Sequence, residues 1–292
     1  MSRVSDRRKK HAAQVASRAK VRRRTPIRPQ TGKMNERRYA VGIQQLIAPM
    51  FKAINEQLRP ILAGVVAQAK AEKRVDGKRR FDRAYSEVIT QAMNGVRLTV
   101  TGTTPEPRIA QLVAQNGQAI NKFSAQQTDA TFRSVLGVAP VRAEPYIASQ
   151  LATFQQRNVA LIKSISTKYL DDVETIVRLG VDKGQSIAEI GKAITQKSGA
   201  AKKRANFIAR DQVQKFNGQL NKLRQEEVGV THYIWSTSRD VDVRDEHADR
   251  QGQKFAWNDP PEDGHPGDAP NCRCSAIPVM DDFIADVDKL VA

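Results

Sequence analysis

The chain has 292 residues, of which 40% are hydrophobic and only 5% aromatic, and its net charge at pH 7 is +17. This length suffices for two modest domains, or for one long helical body with a small cap, with a core mainly of Ala, Val, Ile and Leu. Because no run of 18 or more apolar residues occurs, we expect no membrane-spanning helix and no membrane partner.

Most of the positive charge lies in an N-terminal arm. Residues 1–38 contain fourteen Lys or Arg and two acids, hence a net charge of +12, and the rest of the chain carries +5. Basic side chains release counterions from phosphates, so the arm predicts salt-dependent, sequence-tolerant binding of double-stranded DNA. A solubilising tail, or an arm that binds acidic protein, is the alternative. The candidate DNA-binding residues are Arg3, Arg7, Arg8, Lys9, Lys10, Arg18, Lys20, Arg22, Arg23, Arg24 and Arg28.

Helical periodicity begins at Met34, after an arm (1–33) that we expect to be disordered or extended. Apolar residues recur at steps of three and four from Ile47 to Val66 and predict a long helix, which Pro49 and Pro60 should kink or divide. The pattern further predicts a helix over 80–93, a break at 94–95, a short strand over 97–101 and a helix from 109 towards 136. We interpret 34–145 as a helical domain that ends in the Pro- and Gly-containing segment 137–145.

Four more helices are predicted in a second helical region, 146–229. Their ranges are 146–166, 169–179, 186–197 and 201–227. Ser186 followed by Glu189 has the spacing of a capping box at the start of the third, and Gly199 separates the third from the fourth.

The pattern changes in a C-terminal cap, 230–280. Aromatic and β-branched residues predict a strand over 232–237, and a turn and short strand follow over 249–255. Residues 281–292 predict a short amphipathic C-terminal helix. The fold class is therefore mainly α: an elongated helical body, a small α+β cap and the basic arm.

Four residues of the cap have side chains that suit tetrahedral zinc. His247, His265, Cys272 and Cys274 supply two imidazoles and two thiolates, and a small cap would gain stability from a metal. The other interpretation is that both cysteines are packed thiols and both histidines form hydrogen bonds within the cap. Two cysteines separated by one residue do not form a disulfide framework.

An acidic loop in the cap permits a second chemical interpretation. Asp240, Asp242 and Asp245 precede His247, and carboxylates are the ligands that magnesium prefers. A metal-dependent nuclease, or a toxin-like enzyme, is therefore the alternative to a non-enzymatic protein. Acidic loops are more often solvated turns, so we favour no catalytic residue here.

Several motifs of the cap occur in a fixed order. They read W-S-T-S-R-D, then V-R-D-E-H-x4-G-x2-F, then H-P-G-D-x2-N-C-R-C. Together with Arg157–Ile165 and Arg204–Arg210, these motifs resemble the phage Mu F-like minor head (head morphogenesis) protein family, over Arg157–Met280. The positions that match the family are Arg210, Trp235, Asp240, Arg244, His247, Gly252, Phe255, His265, Pro266, Gly267, Cys272, Arg273 and Cys274.

The resemblance implies a structural protein of the virion, not an enzyme. Relatives associate with the portal and act in head assembly or DNA delivery, so the expected location is the capsid interior near the portal vertex. Expected partners are the portal protein, double-stranded DNA and the major capsid or scaffold protein. One departure is Asp211, where the family more usually has Thr, Ser or Asn, and which could form an ion pair with Arg210. We favour a structural role for the matching residues over a catalytic one.

Overall fold

The computed structural model describes residues 26–27, 30, 32–76, 83–137 and 139–280; side chains are described for all of these but 72–76, 83 and 84. The candidate DNA-binding residues and the predicted helix 281–292 lie outside the described residues. The helices are α1 (Lys33–Ala53), α2 (Arg59–Asp76), α3 (Arg83–Thr103), α4 (Glu106–Leu136), α5 (Ile147–Lys183), α6 (Ile187–Val228) and α7 (Asp245–Asp249). The strands are β1 (His232–Ser236), β2 (Lys254–Ala256) and β3 (Ser275–Pro278). The prediction of a mainly α chain with a small sheet near the C-terminus is confirmed, and no helix in these ranges could cross a membrane.

The first predicted helix is divided, but by a π-helical turn rather than by a gap. This turn, Ile54–Leu58, joins α1 to α2, with Ile54 and Leu58 buried. Pro60 follows the π-helical turn almost directly and has no N–H to donate to the preceding turn. The altered turn therefore lies where the proline removes a helical hydrogen bond. Pro49 is accommodated within α1.

The predicted break at 94–95 and strand at 97–101 are wrong, because α3 is continuous through both. Ile89, Met93, Val96 and Val100 are all buried and lie at steps of four, three and four residues, which is one face of a helix. Packing of that face outweighs the weak preference of the β-branched residues for strands.

Two predicted breaks in the second half of the chain are also absent. α5 continues through 167–168, and α6 continues through Gly199, where a Cβ would meet nothing within 4 Å. A glycine in an exposed helical position costs only about 1 kcal/mol, which the buried face on either side can offset. The capping box is confirmed: the Ser186 N–H donates to Glu189 Oε2 at 2.7 Å, and the Glu189 N–H donates to Ser186 Oγ at 3.3 Å.

The chain divides into two compact units, each made of segments that are distant in sequence. We call them the helical unit (Arg37–Ala114 and Gln155–Ala209) and the cap unit (Met1–Glu36, Gln115–Phe154 and Arg210–Ala292). The predicted domains follow the order of the chain instead. The helical unit has an apolar core of Ile, Val, Leu and Ala side chains, in which Phe51 contacts Tyr169 edge-on at 5.2 Å between ring centroids.

The cap unit has a three-stranded antiparallel sheet with β1 in its centre. Tyr233 lies opposite Phe255 of β2, and Trp235 lies opposite Ala276 of β3. Alternate residues of a strand point to the same side, so Tyr233 and Trp235 are both fully buried on one face. α6 contacts the sheet with polar side chains, because the amides of Asn221 and Gln225 both donate to the Ala276 carbonyl.

Close backbone contact joins α6 to the turn around Pro266. A Cβ on Gly218 would lie 2.7 Å from the Pro266 carbonyl oxygen, and a Cβ on Gly267 would lie 3.1 Å from the Gln214 carbonyl oxygen. Gly267 also has a φ of +102°, which side chains disfavour. Both glycines therefore permit the turn to pack directly on the helix.

Candidate metal centre in the C-terminal cap

His247 is positioned by the short helix α7. Its N–H donates to the Arg244 carbonyl at 3.0 Å, and this turn directs the imidazole into the cap, where only 2% of the residue is exposed. The imidazole contacts the Trp235 ring edge-on, with 5.1 Å between the ring centroids. β1 and α7 together therefore enclose the ring.

Cys272 and Cys274 lie in the segment that leads into β3. In an extended segment residues two apart point to the same side, so the single residue between the cysteines brings both sulfurs to one face. Both thiols are free and buried. The Arg273 side chain, between them, instead pairs with Glu36 Oε2 at 2.9 Å and with Asp240 Oδ2 at 3.2 Å.

The three side chains converge. His247 Nδ1 is 3.5 Å from Cys272 Sγ and 3.5 Å from Cys274 Sγ, and the three potential ligand atoms lie within 4.8 Å of one another. No other cluster of three or more His, Cys, Asp or Glu that could hold a metal occurs among the described residues. The hydrogen bond between the thiols lowers the pKa of Cys272 to about 6 and raises the pKa of Cys274.

A carboxylate holds the other side of the imidazole. Asp263 Oδ2 lies 2.6 Å from His247 Nε2, and Asp263 Oδ1 pairs with Arg250. Burial alone would raise the pKa of Asp263, but the hydrogen bonds from His247 and Arg250 outweigh it and lower that pKa. The sequence offered no signal for Asp263, which lies 16 residues after His247 and matches no ligand spacing.

His265, the fourth predicted zinc ligand, is not brought into this cluster. Its Nε2 lies 3.1 Å from Lys222 Nζ and its Nδ1 lies 3.0 Å from Tyr233 Oη. An ammonium group can only donate, so Nε2 accepts and Nδ1 carries the proton that it donates to Tyr233. Burial and the Lys222 charge lower the pKa of His265. Both ring nitrogens are thus used within the cap.

The acidic loop is held by arginines. Asp240 pairs with Arg273, and Asp242 pairs with Arg210 at 3.0 Å. These carboxylates and His247 do not form a metal-binding cluster in the described ranges. In this structure Asp240 and Asp242 thus pair with arginines rather than gather around one point with His247.

The remaining predicted motif residues have structural contacts. Arg244 donates to the Pro270 carbonyl at 2.7 Å, Gly252 has a φ of +80° in the turn before β2, and Phe255 packs on the Trp235 and Tyr233 rings. Asp211 pairs with Lys215, one helical turn away, rather than with the adjacent Arg210, because neighbouring residues on a helix point about 100° apart.

Glu36 was not recognised from the sequence, although it fixes the first turn of α1 within the cap unit. It receives hydrogen bonds from Arg273 and from the Gln214 amide, and it is only 7% exposed. Its partners lie 178 and 237 residues away, so no local pattern could have predicted them.

Comparison with known proteins finds a family to which this region is similar. Residues 171–277 match the family described as Phage Mu protein F like protein. The chain is also similar to an uncharacterized protein of Haemophilus influenzae, with 38% identity over 169 residues, which is 58% of this chain and 37% of the relative. The chain thus spans little more than a third of that relative's length.

No solved structure matches the chain. The family match begins at residue 171, so the resemblance of Arg157–Ile165 lies outside it. The match includes β1, α7, β2 and the three converging residues His247, Cys272 and Cys274. The order of motifs in the cap and this match agree: residues 171–277 are similar to the family described as Phage Mu protein F like protein.

Proposed function

We propose that this protein is a minor head protein of a bacteriophage that associates with the portal, contacts double-stranded DNA through its basic arm and assists head assembly or genome delivery. The observation that carries the proposal is the family match over residues 171–277. The contacts of the cap favour a structural role, since the loop carboxylates at Asp240 and Asp242 are paired with arginines. Its location would be the capsid interior near the portal vertex.

Portal association can be tested on assembled heads. We expect the protein in heads assembled with the portal protein and its absence, or strong depletion, in heads assembled without it. Mass spectrometry of purified particles measures this, and the major capsid or scaffold protein, present in both preparations, is the internal control. Equal amounts of the protein in both kinds of head would contradict the portal assignment.

We expect DNA binding to depend on the positive charges of the arm and not on the order of the residues within the arm. The ten Lys and Arg between Arg3 and Arg24 should be replaced by Gln. The replacements stop there because Ile27 and Gln30 contact α4: the Ile27 N–H donates to Ser134 Oγ at 3.2 Å and the Gln30 N–H donates to Gln127 Oε1 at 2.9 Å. The variant should bind duplex DNA at least about tenfold more weakly near 0.1 M salt. The slope of its log affinity against log salt concentration should be less steep by about 0.9 for each phosphate that the arm no longer neutralises.

A second variant, in which residues 1–24 are scrambled with all charges kept, is the matched control. It should bind DNA as the wild type does, because phosphate contacts carry no sequence information. Fluorescence anisotropy at several salt concentrations measures both. If the Gln variant binds with unchanged affinity and salt dependence, DNA contact does not occur through the arm.

A further inference from the structure

Three side chains of the cap present donor atoms to one point. The two sulfurs of Cys272 and Cys274 lie 3.5 Å from His247 Nδ1, and all three residues are at most 7% exposed. A tetrahedral zinc, with Zn–N of about 2.0–2.1 Å and Zn–S of about 2.3 Å, holds nitrogen and sulfur ligands about 3.5 Å apart. The two observed nitrogen-to-sulfur separations therefore match those of a tetrahedral zinc site.

The surrounding hydrogen bonds fit a Cys272 thiolate and a His247 Nδ1 that carries no proton. The Cys274 N–H donates to Cys272 Sγ at 3.4 Å, as backbone groups do towards a thiolate. The Asp263 carboxylate is paired with Arg250, so it is ionised and can only accept hydrogen bonds. The Nε2 of His247, which lies against it, must therefore carry the proton. In the neutral imidazole the lone pair is then on Nδ1, which faces the two sulfurs. A carboxylate on the far nitrogen is the usual partner of a metal-binding histidine.

The donor set selects the class of ion. Thiolate and imidazole ligands favour zinc and similar borderline or soft cations, whereas magnesium and calcium require oxygen ligands. A cavity of about 10 Å³ is lined by the three ligands together with Ser238, Asn271 and Asp240, among others. Such a space admits about one water-sized ligand, which would complete a fourfold set.

We propose that the cap binds one zinc ion through His247 Nδ1 and the thiolates of Cys272 and Cys274, that Asp263 orients the imidazole, and that His265 takes no part. The ion would join α7 to the segment leading into β3 and so close the cap. This site does not depend on the role in the phage head.

The first test uses the wild-type full-length protein, reduced and purified with zinc present. We expect elemental analysis to find about one zinc per chain. After removal of zinc with a chelator, addition of Co²⁺ should produce the absorption of thiolate-to-cobalt charge transfer together with the intense d–d bands of a tetrahedral site. Less than stoichiometric zinc, or cobalt spectra without the thiolate band, would overturn the proposal whether or not any variant folds.

The second test compares variants. Cys272→Ser, Cys274→Ser and His247→Ala should each lose the bound zinc, whereas His265→Ala, a histidine removed from the same cap, should keep it. Asp263→Asn should retain the zinc but bind it about 10–100-fold more weakly in competition with a chromophoric chelator. Loss of zinc in His265→Ala with the ligand variants still loaded would contradict the assignment of the ligands.

Discussion

Replacing Trp235 by alanine should lower the free energy of unfolding by about 3–5 kcal/mol. Trp235 is fully buried in the central strand of the cap and is among the largest enclosed side chains in the described part of the chain. Its indole contacts the Phe255 ring edge-on at 5.8 Å and lies 5.1 Å from the Arg250 guanidinium. Deleting the ring would leave a cavity between β1, α7 and the two cysteines. The surrounding backbone can fill such a cavity only in part.

Denaturant unfolding followed by circular dichroism measures this effect. Trp235→Phe retains much of the apolar volume and should be less destabilising than Trp235→Ala. Leu98→Ala, which removes a side chain that is 75% exposed in α3, is the control and should change the stability by less than about 0.5 kcal/mol. If Trp235→Ala lost no more stability than Leu98→Ala, the Trp235 ring would not anchor the cap.

Replacing Arg224 by alanine should lower the free energy of unfolding by about 1.5–3 kcal/mol, because it removes a fully buried guanidinium that donates charged hydrogen bonds. Arg224 Nε donates to Glu144 Oε1 at 2.7 Å, and Nη2 donates to Glu144 Oε2 at 3.1 Å and to Asn121. Removal of the guanidinium leaves the Asn121 amide and the Glu144 carboxylate with fewer partners, although Glu144 is partly exposed and stays paired with Arg142. The same contacts hold Glu144 at a φ of +48°, which is unusual for a residue with a side chain.

The effect of Arg224→Ala should depend on pH in a defined direction. The hydrogen bond from Arg224 is the largest of the influences that lower the pKa of Glu144, ahead of the opposing effect of burial and the hydrogen bond from Arg142. A carboxyl whose pKa is lower in the folded than in the unfolded chain contributes stability above its unfolded pKa, about 4.3, and loses it as the pH falls through the folded value. The difference in free energy of unfolding between wild type and variant should therefore be largest near pH 7 and should shrink below about pH 4.

Arg97→Ala is the matched control for this prediction. Arg97 pairs with Asp171 at 2.8 Å and with Glu174 at 3.1 Å, but its side chain is 33% exposed and that of Asp171 is 59% exposed. Exposed pairs contribute at most about 1 kcal/mol. If Arg224→Ala were no more destabilising than Arg97→Ala in denaturant unfolding at pH 7, the buried pair would not be a major support of the cap.

Helical character could be predicted from the sequence, but helix continuity could not. The buried positions Ile89, Met93, Val96 and Val100 follow a helical period, yet Asn94-Gly95 and the β-branched residues after it indicate a break and a strand. Local preferences of this kind are worth at most about 1 kcal/mol for each residue. Burial of a whole helical face against neighbouring helices is worth several times that, so the packing decides.

The candidate metal centre shows the same division. The sequence offered two histidines with the required chemistry, and nothing in their spacing from the cysteines distinguishes them. In the folded cap His247 faces both sulfurs, whereas His265 is held by Tyr233 and Lys222. Asp263 holds the far side of the imidazole. It could not be assigned from the sequence, because no motif fixes the spacing between a metal-binding histidine and the carboxylate that orients it.

The sequence by itself determined the mainly helical class, the capping box at Ser186, the strand at the start of the cap and the motif order that indicates the family. Each of these depends on residues that are close in sequence or on an ordered series of short motifs. The tertiary structure alone decided which histidine joins the cysteines, which arginine is buried and which carboxylate receives it. Those pairings join residues 25 to 80 positions apart, and the pairing of Arg273 with Glu36 spans 237 positions. They exist only once packing brings distant segments together and removes water from between them.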